Sequence, residues 1–213
     1  MNNLTKQLAS GKKHLRDLYH LMRYGSTGPQ SYERIYVNAS AVTSHYQRNQ
    51  DKKYHIQKWD SGRILDGDWD LNLAPINRST KIAACIDHFQ HGKPWEGTDA
   101  YDHMVMMIKK VGRFDGCLTT EDIVSRYNEM DQLWESIRAE GMKSFPANHL
   151  SRARERRGVL IHIGRNGQPI FGGTGCHRMA IAKILDLENF PAQLGVIHKD
   201  AFKAGALETY RTL

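Results

Sequence analysis

Apolar residues at helical spacing predict an amphipathic helix over residues 4–23, with lysines and arginines on its other faces. We expect the apolar face to pack on the body of the protein. A basic helix of this kind also suits a membrane surface or a nucleic acid, and these remain the alternatives. A turn-rich linker follows at residues 25–31. The apolar positions are Leu4, Leu8, Leu15, Leu18 and Met22.

Three more helices are predicted within residues 79–141, each preceded by a polar residue suited to the N-cap. Their apolar and aromatic side chains recur at helical spacing, so we expect them in the core. Thr119 with Asp122 resembles a capping box in which Asp replaces Glu. The caps and inward positions are Ser79 or Thr80 with Ile82, Ile86 and Phe89; Thr98 with Tyr101, Val105 and Ile108; and Thr119 with Ile123, Tyr127, Met130, Trp134 and Ile137.

Short β-rich runs predict a sheet whose strands lie on both sides of these helices in the sequence. Two of the runs flank Asn166-Gly167, a dipeptide typical of hairpin turns. Together with the helices, they indicate an α+β fold. The predicted strands are residues 32–37, 63–65, 159–163, 169–171 and 191–197, and the later helices are residues 179–187 and 200–211.

The composition indicates a folded protein that favours anionic partners. Hydrophobic residues make up 40% and charged residues 25% of the 213 residues, near the globular average. The formal net charge of +7 favours nucleotides, nucleic acid, anionic lipid or phosphorylated substrates. Three widely spaced cysteines argue against a disulfide framework and a structural zinc site. With no signal peptide and no transmembrane segment in the sequence, we expect a cytoplasmic protein.

The segment with the clearest chemistry is a glycine-rich loop between a predicted strand and a predicted helix. Its three glycines let the backbone approach a ligand closely, and the helix start offers free N–H groups to an anion. Arg178 adds a forked cation, and His177 titrates near neutral pH. We expect the helix start to lower the pKa of Cys176. The alternative is a tight turn with a buried histidine and a surface arginine. The loop comprises Gly172, Gly173, Thr174, Gly175, Cys176, His177 and Arg178.

The loop and the residues after it resemble the ParB/sulfiredoxin superfamily. Members of this superfamily carry a strand, a G-x-H-R or G-x-R-R loop, a helix with small residues and a proline at the entry to the next strand. The resemblance covers about 45 residues, and a weaker match lies at residues 35–42. The matching residues are Gly175-Cys176-His177-Arg178, then Ala180, Ala182 and Lys183, and then Phe190-Pro191-Ala192.

Two more segments carry the resemblance to particular members. The run from Phe171 to Arg178 is close to the FGGCHR loop of sulfiredoxins, but it is two residues longer because Thr174 and Gly175 intervene. ParB-like kinases usually have Asp where this chain has Thr174. The segment Gly67-Asp68-Trp69-Asp70 is similar to a G-D-W-D segment of uncharacterised ParB-like proteins.

The resemblance implies a small mixed sheet with helices, preceded by a mostly helical N-terminal region. It divides the chain into an N-terminal helix and linker at 1–30 and one domain at 31–213. That domain would hold a helical insertion at about 79–141 and the phosphate-binding module at 157–200. The implied ligand is ATP or CTP, whose phosphates would contact Gly173, Thr174, Gly175, Cys176, His177 and Arg178.

Phosphoryl transfer also needs a carboxylate base or metal ligand, and the sequence offers four candidates. Asp66, Asp68 and Asp70 could act as acid groups or hold Mg²⁺, and Trp69, between Asp68 and Asp70, could stack on a base or sugar. The alternative is a solvated acidic turn with Trp69 in the core. Glu155 precedes a strand where enzymes of the superfamily often place an acid, or it forms a surface ion pair. With His177, these are the candidate catalytic residues.

Three functional hypotheses follow. The first is a nucleotide-dependent phosphotransferase or nucleotide hydrolase with Mg²⁺, acting on a small-molecule or protein acceptor. The second is a regulatory protein that binds DNA or nucleotide without turnover, using the basic residues near 152–157 and the N-terminal helix. The third is cysteine redox chemistry at Cys176.

Overall fold

Seven strands form one mixed sheet in the computed structural model, which describes residues 3–47, 55–144, 154–155 and 157–212, with side chains from residue 13 onward. The α+β class is therefore confirmed. The strands are β1 (Arg34–Val37), β2 (Ser44–Tyr46), β3 (Ile64–Leu65), β4 (Leu73–Pro75), β5 (Val159–Ile163), β6 (Pro169–Phe171) and β7 (Phe190–His198).

The longest strand, β7, organises the sheet. It pairs antiparallel with β1, parallel with β5 and parallel with β3 at its far end. β6 pairs antiparallel with β5 across the predicted hairpin, and β2 and β4 extend the sheet beyond β6. All nine residues of β7 are buried, which fits a strand covered on both faces. The strand expected near residues 32–37 thus joins the C-terminal strands in one sheet.

Six α-helices occur in the described part of the chain, and the predicted helix starts of the middle three are confirmed. Ser79 and Thr98 occupy N-cap positions, and Thr119 with Asp122 forms the expected capping box. Only the last predicted helix is broken, because Gly205 adopts a left-handed conformation. The helices are α1 (Asn3–Tyr24), α2 (Thr80–His91), α3 (Asp99–Val111), α4 (Thr120–Glu140), α5 (Cys176–Ile184) and α6 (Lys199–Lys203).

The hydrophobic core has a main cluster and a smaller one. The main cluster joins the sheet to α2, α5 and the aromatic side chains of the helical segment, where Trp95 stacks on Tyr127 at 4.4 Å between ring centroids. The smaller cluster contains Trp69, which is only 1% exposed and packs near Tyr46 and His162. Trp69 is therefore a core residue and cannot stack on a nucleotide in this arrangement.

Helix α1 packs on the body as expected, but with the opposite face. Leu15, Leu18 and Met22 are exposed, so the prediction that the apolar face is buried is wrong for the part with described side chains. Burial of these polar groups is tolerated because most of their donors and acceptors find partners, although Arg16 Nε has none among the described residues. None of the helices within the described ranges is long and apolar enough to cross a membrane. The docking contacts are Arg16 to the hydroxyl of Ser31 and the carbonyl of Ser61, Asp17 to Arg154 and the N–H of Ser31, and His20 to the carbonyl of Pro29.

The buried His162 makes the stability of this fold sensitive to acid. Its Nδ1 accepts a hydrogen bond of 3.0 Å from the backbone N–H of Val196, so the ring must be neutral to keep that bond. A Cβ at Gly195 would lie 2.0 Å from the same Nδ1, and this glycine therefore makes room for the ring. Burial lowers the pKa of His162 from 6.5 to about 3.

Between these two pH values, the unfolded chain binds a proton that the folded chain does not. The free energy of unfolding should therefore fall as pH falls below 6.5, by about 2–3 kcal/mol at pH 4.5 from this residue. Denaturant unfolding at pH 7 and pH 4.5 measures the loss. His162→Gln, whose amide oxygen can still accept from Val196, should lose that much less stability than the wild type. An equal loss in both proteins would contradict the assignment to His162.

Candidate functional site

The glycine-rich loop forms a rigid turn whose end opens onto the start of α5. Gly172 N–H donates to the Leu160 carbonyl at 2.8 Å, and Leu160 N–H donates to the Thr174 carbonyl at 3.0 Å. Gly173 and Gly175 have φ of 82° and 83°, the left-handed region that favours glycine. Gly175 is the N-cap of α5 and has no side chain with which to cap it. The loop thus presents the positive end of a helix dipole.

Two cations from distant helices face this helix start. Lys81 comes from the first turn of α2 and Arg126 from the second turn of α4, and both line a cavity of about 370 Å³ with residues 173–178. They share one carboxylate, Asp115, at 2.6 Å from Lys81 Nζ and 2.9 Å from Arg126 Nη2. Two cations against one acid leave the cavity positive, which suits an anionic ligand.

Two further cavities meet the loop on the side of Thr174. One, of about 620 Å³, is lined by Trp59, Lys58 and amide side chains as well as by residues 172–174. The other, of about 450 Å³, contains Lys13, Lys58 and Arg157. Volumes in this range are typical of small-molecule sites. The loop therefore lies between a charged cavity and a roomier one that offers an aromatic side chain.

His177 lies in the cation-lined cavity and is neutral at physiological pH. Burial, together with the cations Arg126 and Lys81, lowers its pKa from 6.5 to about 4. A neutral imidazole can donate one hydrogen bond and accept another, so it can hold a phosphate oxygen or exchange a proton. A bound anion would offset the two cations and raise the pKa of His177.

The expectation that the helix start lowers the pKa of Cys176 is wrong. Burial raises the pKa of its thiol, and this effect exceeds the lowering by Lys81 and by a hydrogen bond with Ser79. The Sγ lies 3.6 Å from the Gly173 carbonyl, so the thiol helps to hold the loop. A thiol that is protonated at neutral pH is a weak nucleophile, and redox chemistry at this position loses its main physical support.

Arg178 and Glu155 lie together at the base of the loop. Arg178 donates to the carbonyl of Arg157 at 3.0 Å, and the charge of Glu155 acts on its guanidinium. Glu155 is 1% exposed and forms an ion pair of 3.0 Å with Arg34 of β1. The structure thus places Glu155 beside the loop. It is buried and paired with a cation, and it does not form a surface ion pair.

Asp68 and Asp70 lie at the other end of the β5–β6 hairpin. The five residues of β5 separate the hairpin turn from the loop by roughly 15 Å. Asp70 is buried and accepts from the backbone N–H of Arg165 at 2.8 Å and from its guanidinium. Burial acts to raise the pKa of Asp70, but these hydrogen bonds hold it below its ordinary value. Asp68 also pairs with Arg165, at 2.9 Å.

This arrangement fits an ion pair and does not fit a magnesium site. Both oxygens of Asp70 accept from Arg165, so a cation would have to displace the guanidinium. Among the described residues, no group of three or more His, Cys, Asp or Glu side chains is placed to hold a metal.

Sequence patterns did not point to Lys81, Asp115 or Arg126. Each lies on a different segment, and only the packing of α2 and α4 beside α5 brings them together. Of the basic residues near 152–157, Arg154 serves α1 through Asp17 and Arg157 lines a cavity, whereas Arg152 and Arg156 lie outside the described residues.

The site therefore consists of a glycine-rich loop at an uncapped helix start, two facing cations and a neutral histidine. Carboxylates are present in Asp115 and Glu155, each already paired with a cation. No protein-family model matches this chain, and comparison with curated proteins and with solved structures found no match.

Proposed function

We propose that the protein binds a nucleotide through its phosphates on residues 173–178 and is a phosphotransferase or nucleotide hydrolase. One observation carries the proposal: the uncapped start of α5 faces Lys81 and Arg126, which share a single acid. Backbone N–H groups, a helix dipole and two cations are the groups that bind phosphate most effectively.

The neighbouring cavity favours a nucleotide over a free phosphate. It adjoins the loop at Gly172 and Thr174 and offers Trp59 for stacking and the amide of Gln57 for hydrogen bonds. A nucleotide with its phosphates at α5 could extend its sugar and base into this space. The resemblance to the ParB/sulfiredoxin superfamily supports the same arrangement, and with it ATP or CTP as the ligand.

Catalysis by this site would depend on charge neutralisation and positioning. Phosphoryl transfer places negative charge on equatorial oxygens, which Lys81, Arg126 and Arg178 can offset. His177, neutral and in the same cavity, is the group best placed to accept or donate a proton. Asp68 and Asp70 are too far from the loop to act there. The acceptor would be water, a small molecule or a protein.

A thermal-shift panel with ATP, CTP, GTP and UTP tests the proposal. A nucleotide at about 100 times its dissociation constant should stabilise the protein by about 2.7 kcal/mol. Nucleoside without phosphates should give no shift at the same concentration, because the cations would have no partner. If none of the nucleotides shifts the melting temperature at millimolar concentration, the proposal is wrong.

A regulatory protein that binds nucleic acid is the second candidate. The basic residues cover more surface than one phosphate needs. Lys81 and Arg126 line the cavity on one side of Thr174, and Lys58 and Arg157 line the cavity on its other side. Binding of this kind would weaken steeply and linearly with the logarithm of salt concentration. Duplex and single-stranded DNA across a salt series would distinguish it, because a nucleotide enclosed in a cavity depends much less on salt.

A further inference from the structure

Of the eleven large apolar side chains that are exposed among the described residues, five lie on α1, outside the proposed nucleotide site. Five large side chains project from consecutive turns, along about 11 Å of helix. Their position opposite the docked face means that no element of the described fold covers them. Single exposed apolar residues are common, but a contiguous row indicates a contact surface. The exposed fractions are 69% for Leu15, 51% for Leu18, 51% for Tyr19, 55% for Leu21 and 73% for Met22.

The polar face of α1 is committed to the body, so this orientation is fixed. Arg16 reaches Ser31 and Ser61, and Asp17 pairs with Arg154 at 3.0 Å. Rotating the helix to bury its leucines would leave these buried polar groups without partners. The helix therefore holds its apolar row outward as a consequence of its own docking contacts.

The charge of the helix indicates which kind of partner can bind this face. Residues 3–24 contain five Lys and Arg residues and one acid, Asp17, which Arg154 neutralises. Lys13 and Arg16 contact the body, whereas Arg23 is exposed near the apolar row. A second copy of the protein would bring two strongly basic helices together and is disfavoured by repulsion. A nucleic acid would match the charge but not the leucines. An anionic lipid surface matches both.

We propose that α1 binds the surface of an anionic membrane through Leu15, Leu18, Tyr19, Leu21 and Met22. The helix would lie in the plane of the membrane, with its apolar row among the acyl chains near the headgroups. Arg23, which is exposed at the end of the helix, would contact the anionic headgroups. The proposal is independent of nucleotide binding.

Flotation with lipid vesicles tests this proposal on the full chain. The protein should float with vesicles of phosphatidylcholine and phosphatidylserine, but not with phosphatidylcholine alone, and high salt should reduce binding. Leu18→Glu/Met22→Glu should lower the bound fraction by about tenfold or more, because it puts charge into the apolar row. The matched control is Met106→Glu/Leu118→Glu, which changes two other exposed apolar residues and the same net charge.

All the replaced side chains are exposed, so both double variants should melt within a few degrees of the wild type, which circular dichroism checks. Absence of wild-type binding to anionic vesicles would overturn the proposal, as would equal binding by the α1 variant and the control. Sedimentation velocity provides the remaining outcome. A dimer that Leu18→Glu/Met22→Glu dissociates, with no vesicle binding, would assign this face to a second copy.

Discussion

Arg126→Gln is expected to weaken nucleotide binding by about 30-fold or more, whereas Arg138→Gln leaves it unchanged. Loss of a charge-assisted contact to a phosphate in a partly enclosed site costs about 2–5 kcal/mol. Both arginines are on α4, but only Arg126 lines the cavity beside the loop. Arg138 pairs with Glu135 on the surface, with both side chains largely exposed. Isothermal titration with the nucleotide found in the thermal-shift panel measures both dissociation constants.

The Arg126 variant should still fold, because Lys81 continues to pair with Asp115. Its melting temperature without nucleotide provides the check. An unchanged dissociation constant in a folded Arg126→Gln protein would place the phosphates elsewhere. The cavity containing Lys58 and Arg157 would then be the next candidate.

Asp70→Ala is expected to destabilise the protein by about 2–3 kcal/mol, while Asp68→Ala should change stability by less than about 1 kcal/mol. The side chain of Asp70 is fully buried and accepts several hydrogen bonds from Arg165, whose charge would lose its buried partner. The side chain of Asp68 is 70% exposed. Urea unfolding of the two variants beside the wild type gives both values.

The variants Asp68→Ala and Asp70→Ala also distinguish a structural role of these carboxylates from a catalytic one. If the loop is the site of chemistry, Asp68→Ala should keep both nucleotide binding and any nucleotide turnover. A stable Asp68→Ala protein that binds nucleotide normally but has lost turnover would contradict this placement. It would return Asp68 to the catalytic residues that its sequence context suggested.

The elements with strong local signals were predictable. Thr119 and Asp122 formed the expected capping box, and Asn166-Gly167 formed the expected hairpin, because caps and tight turns depend on neighbouring residues. The three-residue strands β2 and β4 were not predicted. A strand of this length has too few residues to show alternation, and the equally short β6 was predicted because the Asn166-Gly167 turn precedes it.

The candidate site likewise has a part that local sequence predicts and a part that only tertiary packing creates. The loop at residues 173–178 was visible because glycines and a following helix are a local pattern. Its partners Lys81 and Arg126 were not, since they reach it only through tertiary packing. The prediction for α1 failed for a related reason. Amphipathicity shows that two faces differ, but the partners of Arg16 and Asp17 determine which face is buried.

The position of β7 in the sheet has a consequence for how the chain reaches its folded state. β1 pairs with β7 at one edge of the sheet, so segments far apart in the sequence lie side by side. During synthesis on the ribosome, β1 emerges early and must wait for β7 before its edge is satisfied. Helices α3 and α4 pack mainly on neighbouring elements and can form first, whereas α2 packs most extensively on α5, which is made much later. We therefore expect sheet assembly to be the late, slow step, with the unpaired edge of β1 exposed to chaperones until then.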